Sequence, residues 1–335
     1  MMKGTSPKEI RYQHARFLKE PGKTLQQHLD AARTRLKFAS QRAQKLSEDE
    51  DNVRLWNKRS ARGLLTCGMF HSYERGRSQL VIEMQESAEE YRLEAADPPK
   101  AKGKNSKTEF NEGLLFFGVH KNHVLLLQSS ILRQSAFDDY VNWLLQDATD
   151  EIAKDNRIEL QDTLPKKLRE RNVPPLKSII FTPPLHAEPA RGTGAHGDAR
   201  TQVRDLSLRL GQHDWSWMRS MLEGMGADVP QNLRLDGDFK PENVQVEIHL
   251  RWKGRDKNRA ETPVLDTILR AFRDVDDPPI KAVTASGAEI RGNELRLKKK
   301  VQIAVDGKIP LASDVFAQMQ AYMTELLASG EILAE

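Results

Sequence analysis

Two apolar runs, Leu114–Val119 and Val124–Leu127, flank the polar residues His120-Lys121-Asn122-His123, and this arrangement constrains the fold more than any other feature of the 335-residue chain. Each run is far shorter than the roughly 20 apolar residues that cross a bilayer as a helix. Two short apolar runs joined by a polar turn read instead as a β-hairpin. The histidines belong to that turn, because no carboxylate or cysteine ligand lies close in sequence to complete a metal site.

Other segments follow the same logic. Leu64–Tyr73 and Gln79–Met84, separated by Glu74-Arg75-Gly76-Arg77-Ser78, read as another hairpin. Cys67 lies in its first strand, where a small core residue is the simpler reading than a nucleophile. Thr24 followed by Gln27 is a capping-box pattern, and Leu25, Leu29, Ala32, Leu36, Ala39, Ala43 and Leu46 recur at helical spacing. This predicts a helix over 25–46 with Arg33, Lys37, Arg42 and Lys45 on its polar side. Ser135 is expected to cap a helix whose buried stripe is Phe137, Val141, Leu144, Leu145 and Ala148.

Pro165, Pro174, Pro175, Pro183, Pro184 and Pro189 punctuate the middle of the chain around a strand at Leu176–Phe181, and Arg191–Gly197 reads as a mobile loop. Beyond it the pattern predicts strands at Gln202–Leu210, Val244–Trp252, Ile280–Thr284 and Glu294–Val305. Helices are expected near Ser216–Met225 and over Leu265–Phe272, the latter opened by Thr262-Pro263. A final helix should start at Ser313 and close at Gly330. The class is therefore α+β, in two domains of short antiparallel strands packed with amphipathic helices. The expected boundaries are a basic segment 1–62 belonging to a first domain 63–185, a loop at 186–200 and a second domain 201–335.

The net charge of +4 gives no reason by itself to expect a polyanionic partner. It conceals strong local bias: residues 1–62 carry 15 Lys+Arg against 7 Asp+Glu, whereas residues 111–162 carry 4 against 9. One cysteine and no apolar leader point to a cytoplasmic chain. The nucleotide-fingerprint match Gly192-x-Gly194-x-x-Gly197 follows three prolines rather than a buried strand, so it reads as loop. Asp236-x-Asp238-x-Lys240-x-Glu242 has Pro241 where a calcium loop needs glycine. No cofactor and no metal is called for. A nuclease assembling Asp236, Asp238 and Glu247 from separate segments is one alternative, and a protein-interaction module with a basic face is another.

The strongest signal is the end of the alternating strand. Val244, Val246, Ile248, Leu250 and Trp252 share one face, and Arg251, Lys253, Arg255, Lys257 and Arg259 then form an every-second-residue series. Cations evenly spaced on an extended ribbon can follow a phosphate backbone, while the competing use is protection of an edge strand. Lys298-Lys299-Lys300, with Arg291 and Arg296, and Arg33 with Lys37 add further basic segments. The chain has only 5 Trp, 5 Tyr and 11 Phe, which favours contact with duplex phosphates over stacking on single strands.

The order of these elements resembles the RexA-type proteins of lambdoid prophage exclusion systems, from Thr24 to the C-terminus. The pattern is the hairpin 114–127, the helix after Ser135, the strand 176–181, a helix ending at Gly226, the alternating strand running into basic residues, the helix 265–272 and a terminal helix. The resemblance implies a homodimeric, cytoplasmic, largely sequence-independent DNA-binding protein that senses infection and activates a membrane effector. Arg251, Lys253, Arg255, Lys257 and Arg259 are the residues it assigns to DNA.

Overall fold

The computed structural model describes residues 3–20, 22–46, 51–83, 92–100, 103, 106–166, 176–181, 248–251, 280–284, 287 and 289–333. These combine strands with helices and are dominated by a large antiparallel sheet. The expected elements at 202–210, 216–225 and 265–272, the loop at 186–200 and the carboxylates Asp236, Asp238 and Glu247 lie outside the described residues. Among the described residues, no helix is long and apolar enough to cross a membrane.

The chain divides into two compact units: Met1–Thr163 together with Leu297–Glu335, and Leu164–Arg296. This differs from the boundaries expected from composition. Residues 297–335 join the first unit because their strand pairs with the N-terminal one, and the strand 176–181 joins the second.

In the first unit the strands are β1 (Lys3–Phe17), β2 (Ala43–Lys45), β3 (Asn52–Arg62), β4 (Leu65–Glu74), β7 (Asn111–His120), β8 (His123–Leu127), β9 (Ile158–Gln161), β14 (Lys298–Asp306) and β15 (Ile309–Pro310). They form one sheet in the order β15-β14-β1-β8-β7-β4-β3-β2, with β9 also pairing β1. The expected β7–β8 hairpin is present, closing through His120 opposite His123 with Lys121 in the left-handed region at φ 52°. The run Leu65–Glu74 does not pair with β5 (Gln79–Glu83), which instead pairs β6 (Arg92–Ala96). β1 and β3 are not among the strands expected from the sequence.

β9 and β14 lie on one edge of β1 and run in the same direction. Gln161 pairs His14 and Lys298 pairs Arg11, both antiparallel, while β8 takes the other edge. The Leu297 carbonyl accepts from the Tyr12 backbone amide (2.9 Å), and the Gln13 side-chain Nε2 donates to Asp162 Oδ1 (2.5 Å). The two strands are thus one strand interrupted by the whole second unit.

Both faces of this sheet are covered. α1 (Leu25–Arg35) and α2 (Gln134–Trp143) pack on one, over Trp56, Phe70, Leu115, Phe117, Val124 and Leu126. α3 (Ala312–Ala328) packs on the other, over Ile10, Cys67, Phe116, Leu125, Val301 and Ile303. Successive residues of β7 and β8 therefore enter opposite cores, which is why those runs are apolar without alternation. Cys67 is fully buried, and desolvation pushes its thiol up to about 12. Gly68 stands where an added Cβ would lie 2.3 Å from Phe117 and 2.4 Å from the Trp56 indole nitrogen.

The capping box at Thr24 forms, with Gln27 Oε1 accepting from the Thr24 amide at 2.8 Å and Thr24 Oγ1 from the Gln27 amide at 3.3 Å. α1 nevertheless stops at Arg35 rather than Leu46. The Arg42 side chain takes the carbonyls of Leu36 and Lys37, Ala39–Arg42 makes a 3₁₀ turn, and Ala43–Lys45 becomes β2. α2 begins one residue before Ser135, with Arg133 at the cap position, and continues into a π turn over Leu144–Ala148. α3 is capped by Leu311 without a side-chain bond, and Gly330 follows it at φ 66°.

The second unit contains a four-stranded antiparallel sheet in the order β11 (Ile248–Arg251), β10 (Leu176–Phe181), β12 (Ile280–Thr284), β13 (Glu289–Arg291).

Candidate nucleic-acid interface

The register of the second unit's sheet sorts its residues into rows that alternate between faces. One face holds the rows Leu250–Ile179–Ala282–Ile290 and Ile248–Phe181–Ile280. Every position in them is apolar, and Ile179, Ala282 and Ile280 are buried. The other face holds Arg251–Ser178–Val283–Glu289 and His249–Ile180–Lys281–Arg291. Lys281 and Arg291 share that face with Glu289, and Arg251 and His249 stand in register with it.

The electrostatics there are unbalanced. Lys281 stands directly opposite Arg291, a like-charge cross-strand pair that costs stability. Glu289 offsets it by holding Lys281 Nζ at 2.6 Å. Both members of that ion pair remain about half exposed, so their attraction is weakened by water. Arg291 is exposed, with its amide held by Glu294 Oε2 at 2.8 Å. An anion over this face would relieve the repulsion between Lys281 and Arg291.

Arg251 is the last described residue of β11, and β11 is an edge strand of the sheet among the described residues. Lys253, Arg255, Lys257 and Arg259 lie outside the described residues. Sequence reading pointed to Arg251 and named Arg291, but it missed Lys281. That lysine sits in a strand predicted at the right place, and only the register brings it opposite Arg291.

Lys298, Lys299 and Lys300 belong to the first unit rather than to the same half as Arg251. Lys298 Nζ and Arg11 Nε both reach Glu9, at 3.0 Å and 3.2 Å, so one carboxylate bridges two cations. Lys299 pairs with Glu325 and lies 5.7 Å from the Tyr322 ring centroid. Lys300 is exposed and paired in register with Glu9. Arg296 is buried. This strand therefore uses much of its positive charge within the fold.

Arg33 and Lys37 flank the end of α1. The Arg33 guanidinium lies 5.9 Å from the Trp56 ring centroid, and Lys37 is exposed. The turn histidines are structural: Tyr12 Oη and His123 Nδ1 are 2.8 Å apart, and the rings of His120 and His123 stack at 6.2 Å. Among the described residues no three histidine, cysteine or carboxylate groups are grouped to hold a metal. No protein-family model matches the chain, and no curated protein matches it in sequence.

Proposed function

We propose that the chain binds double-stranded DNA through its phosphates, with little sequence preference, and acts in phage exclusion as a homodimeric cytoplasmic sensor that activates a membrane effector. The observation that supports the DNA reading is the two-sided sheet of the second unit. Ile179, Ala282 and Ile280 are buried on one face, while Lys281 and Arg291 stand opposite each other on the other, with Arg251 at a register position of that same face. From the edge strand of that face the sequence runs directly into Lys253, Arg255, Lys257 and Arg259. Cations on adjacent strands, followed in sequence by a further basic series, suit a phosphate backbone rather than one small anion. The biological role rests on the resemblance to the RexA-type proteins and on nothing in the geometry.

The test is a salt titration of duplex binding. Lys281→Ala, Arg291→Ala and Arg251→Ala should each weaken binding to unrelated sequences about equally, and each should lower the slope of log K against log salt by about one. Wild-type affinity in the triple variant would remove this face from the interface. Cleavage of plasmid with Mg²⁺ that is lost on Asp236→Asn would replace the reading with a nuclease.

A further inference from the structure

The first unit carries an exposed aromatic ring among cations, on a loop that the fold holds rigidly. Phe38 is 69% exposed, although it lies between the end of α1 and β2 in a segment with little freedom. Its amide donates to Gln41 Oε1 (2.9 Å), and its carbonyl accepts from the Gln41 amide (3.1 Å). Arg42, only 2% exposed, clamps the loop to the sheet. Its guanidinium donates to the carbonyls of Leu36 (2.6 Å) and Lys37 (3.1 Å) on the loop, and of Trp56 (3.0 Å) and Asn57 (3.3 Å) on β3.

Those bonds bring Lys37 beside the point where β3 bulges. Register is lost between Trp56 and Arg59, and the Trp56 indole donates to the Lys58 carbonyl at 3.1 Å. Lys37 and Lys58 are both exposed. Arg33 and Arg42 lie 5.9 and 6.0 Å from the Trp56 ring centroid, and among the described residues no carboxylate pairs with Arg42. Burial, and then the nearby charge of Arg33, hold the Arg42 guanidinium below its ordinary pKa. Asp51 is at the far end of the β2–β3 hairpin. Among the described residues, the loop that carries Phe38 thus holds Lys37 exposed next to it in sequence and Arg42 buried beneath it.

We infer that this ledge binds an unpaired stretch of nucleic acid, with Phe38 stacking on a base and the exposed Lys37 and Lys58 meeting the flanking phosphates. A base has a π face whatever its identity, so one exposed ring on a held backbone, with exposed lysines on the same loop and on β3, suits a single strand without sequence preference. Holding the backbone that carries the ring before binding lowers the ordering cost that a mobile loop would incur. A bilayer surface is less well matched, because the ledge offers one ring and no amphipathic helix to insert. The inference extends the nucleic-acid reading to the first unit and is read out separately from it.

The experiment uses the full chain with four probes: a fluorescent oligothymidylate, an oligouridylate of equal length, a blunt DNA duplex, and phosphatidylserine vesicles. Phe38→Ala should weaken single-strand binding roughly tenfold while leaving duplex affinity unchanged, and Phe38→Trp should restore it. Lys37→Ala with Lys58→Ala should lower the salt slope for single strands only. Equal loss on both oligonucleotides means that the ledge accepts DNA and RNA alike; loss on one alone assigns it to that sugar. Because Phe38 is exposed, the alanine variant should melt as the wild type does. Unchanged single-strand affinity in Phe38→Ala overturns the inference, as does loss confined to anionic phosphatidylserine vesicles. If Lys281→Ala and Arg291→Ala leave duplex binding intact while Phe38→Ala still costs single-strand binding, the sheet face fails and the ledge stands.

Discussion

Gly68 has no side chain because two aromatic residues already occupy the space. Trp56 and Phe117 meet edge to face at 5.4 Å between centroids, and β4 passes close beneath them. Gly68→Ala places a methyl inside the van der Waals radius of both rings. Neither ring has room to move, since Trp56 and Phe117 are each 1% exposed. The substitution should destabilise the chain by about 1–3 kcal/mol, read as a lower urea midpoint at unchanged slope. Nothing in the sequence signals this role, because a lone glycine in an apolar run looks the same whether it is crowded or not. Arg42 was equally illegible. Its spacing fitted a continuing helix, whereas its guanidinium ends the helix by taking carbonyls from four residues.

Elements were legible where their own residues settle their environment. The β7–β8 hairpin is apolar throughout because two cores need it, and its turn is polar, so both signals agree. β1 is different: Arg11 and Gln13 are buried on the same face as Ala15, so their polarity hides one core face, and the apolar positions change phase between Ile10, Tyr12 and Ala15, Phe17. Its place in the sheet comes from pairing with β14, almost the whole chain away. The candidate interface shows the same division, since the alternating strand before Arg251 was readable and the meeting of Lys281 with Arg291 needed the register. The two cores flanking the sheet also predict how substitutions combine. Leu29→Ala on α1 and Met319→Ala on α3 remove buried side chains from opposite faces, and each should cost about 2–5 kcal/mol. With the sheet between them, the double variant should equal the sum within about 0.5 kcal/mol in equilibrium unfolding, and a larger coupling would show that the cores relax together.

For the whole molecule, the governing fact is that the first unit is made of two distant pieces of chain. The piece from Leu297 onward supplies β14 and β15 at one end of the sheet and α3, which covers one of its faces. Replacing residues 164–296 by a short Gly-Ser linker should leave that unit folded, because β9 and β14 meet end to end along β1. A cooperative thermal transition with retained β-sheet circular dichroism is the expected result; a non-cooperative melt would show that the second unit is needed for the fold. The interruption also sets an order of events on the ribosome. At about 5–20 residues per second, residues 164–296 take on the order of ten seconds to emerge. Through that interval one edge of β1 has been made and its partner has not, with Ile10 and Tyr12 still lacking the helix that will cover them. The nascent first half must wait in an open state while the inserted half is free to finish first.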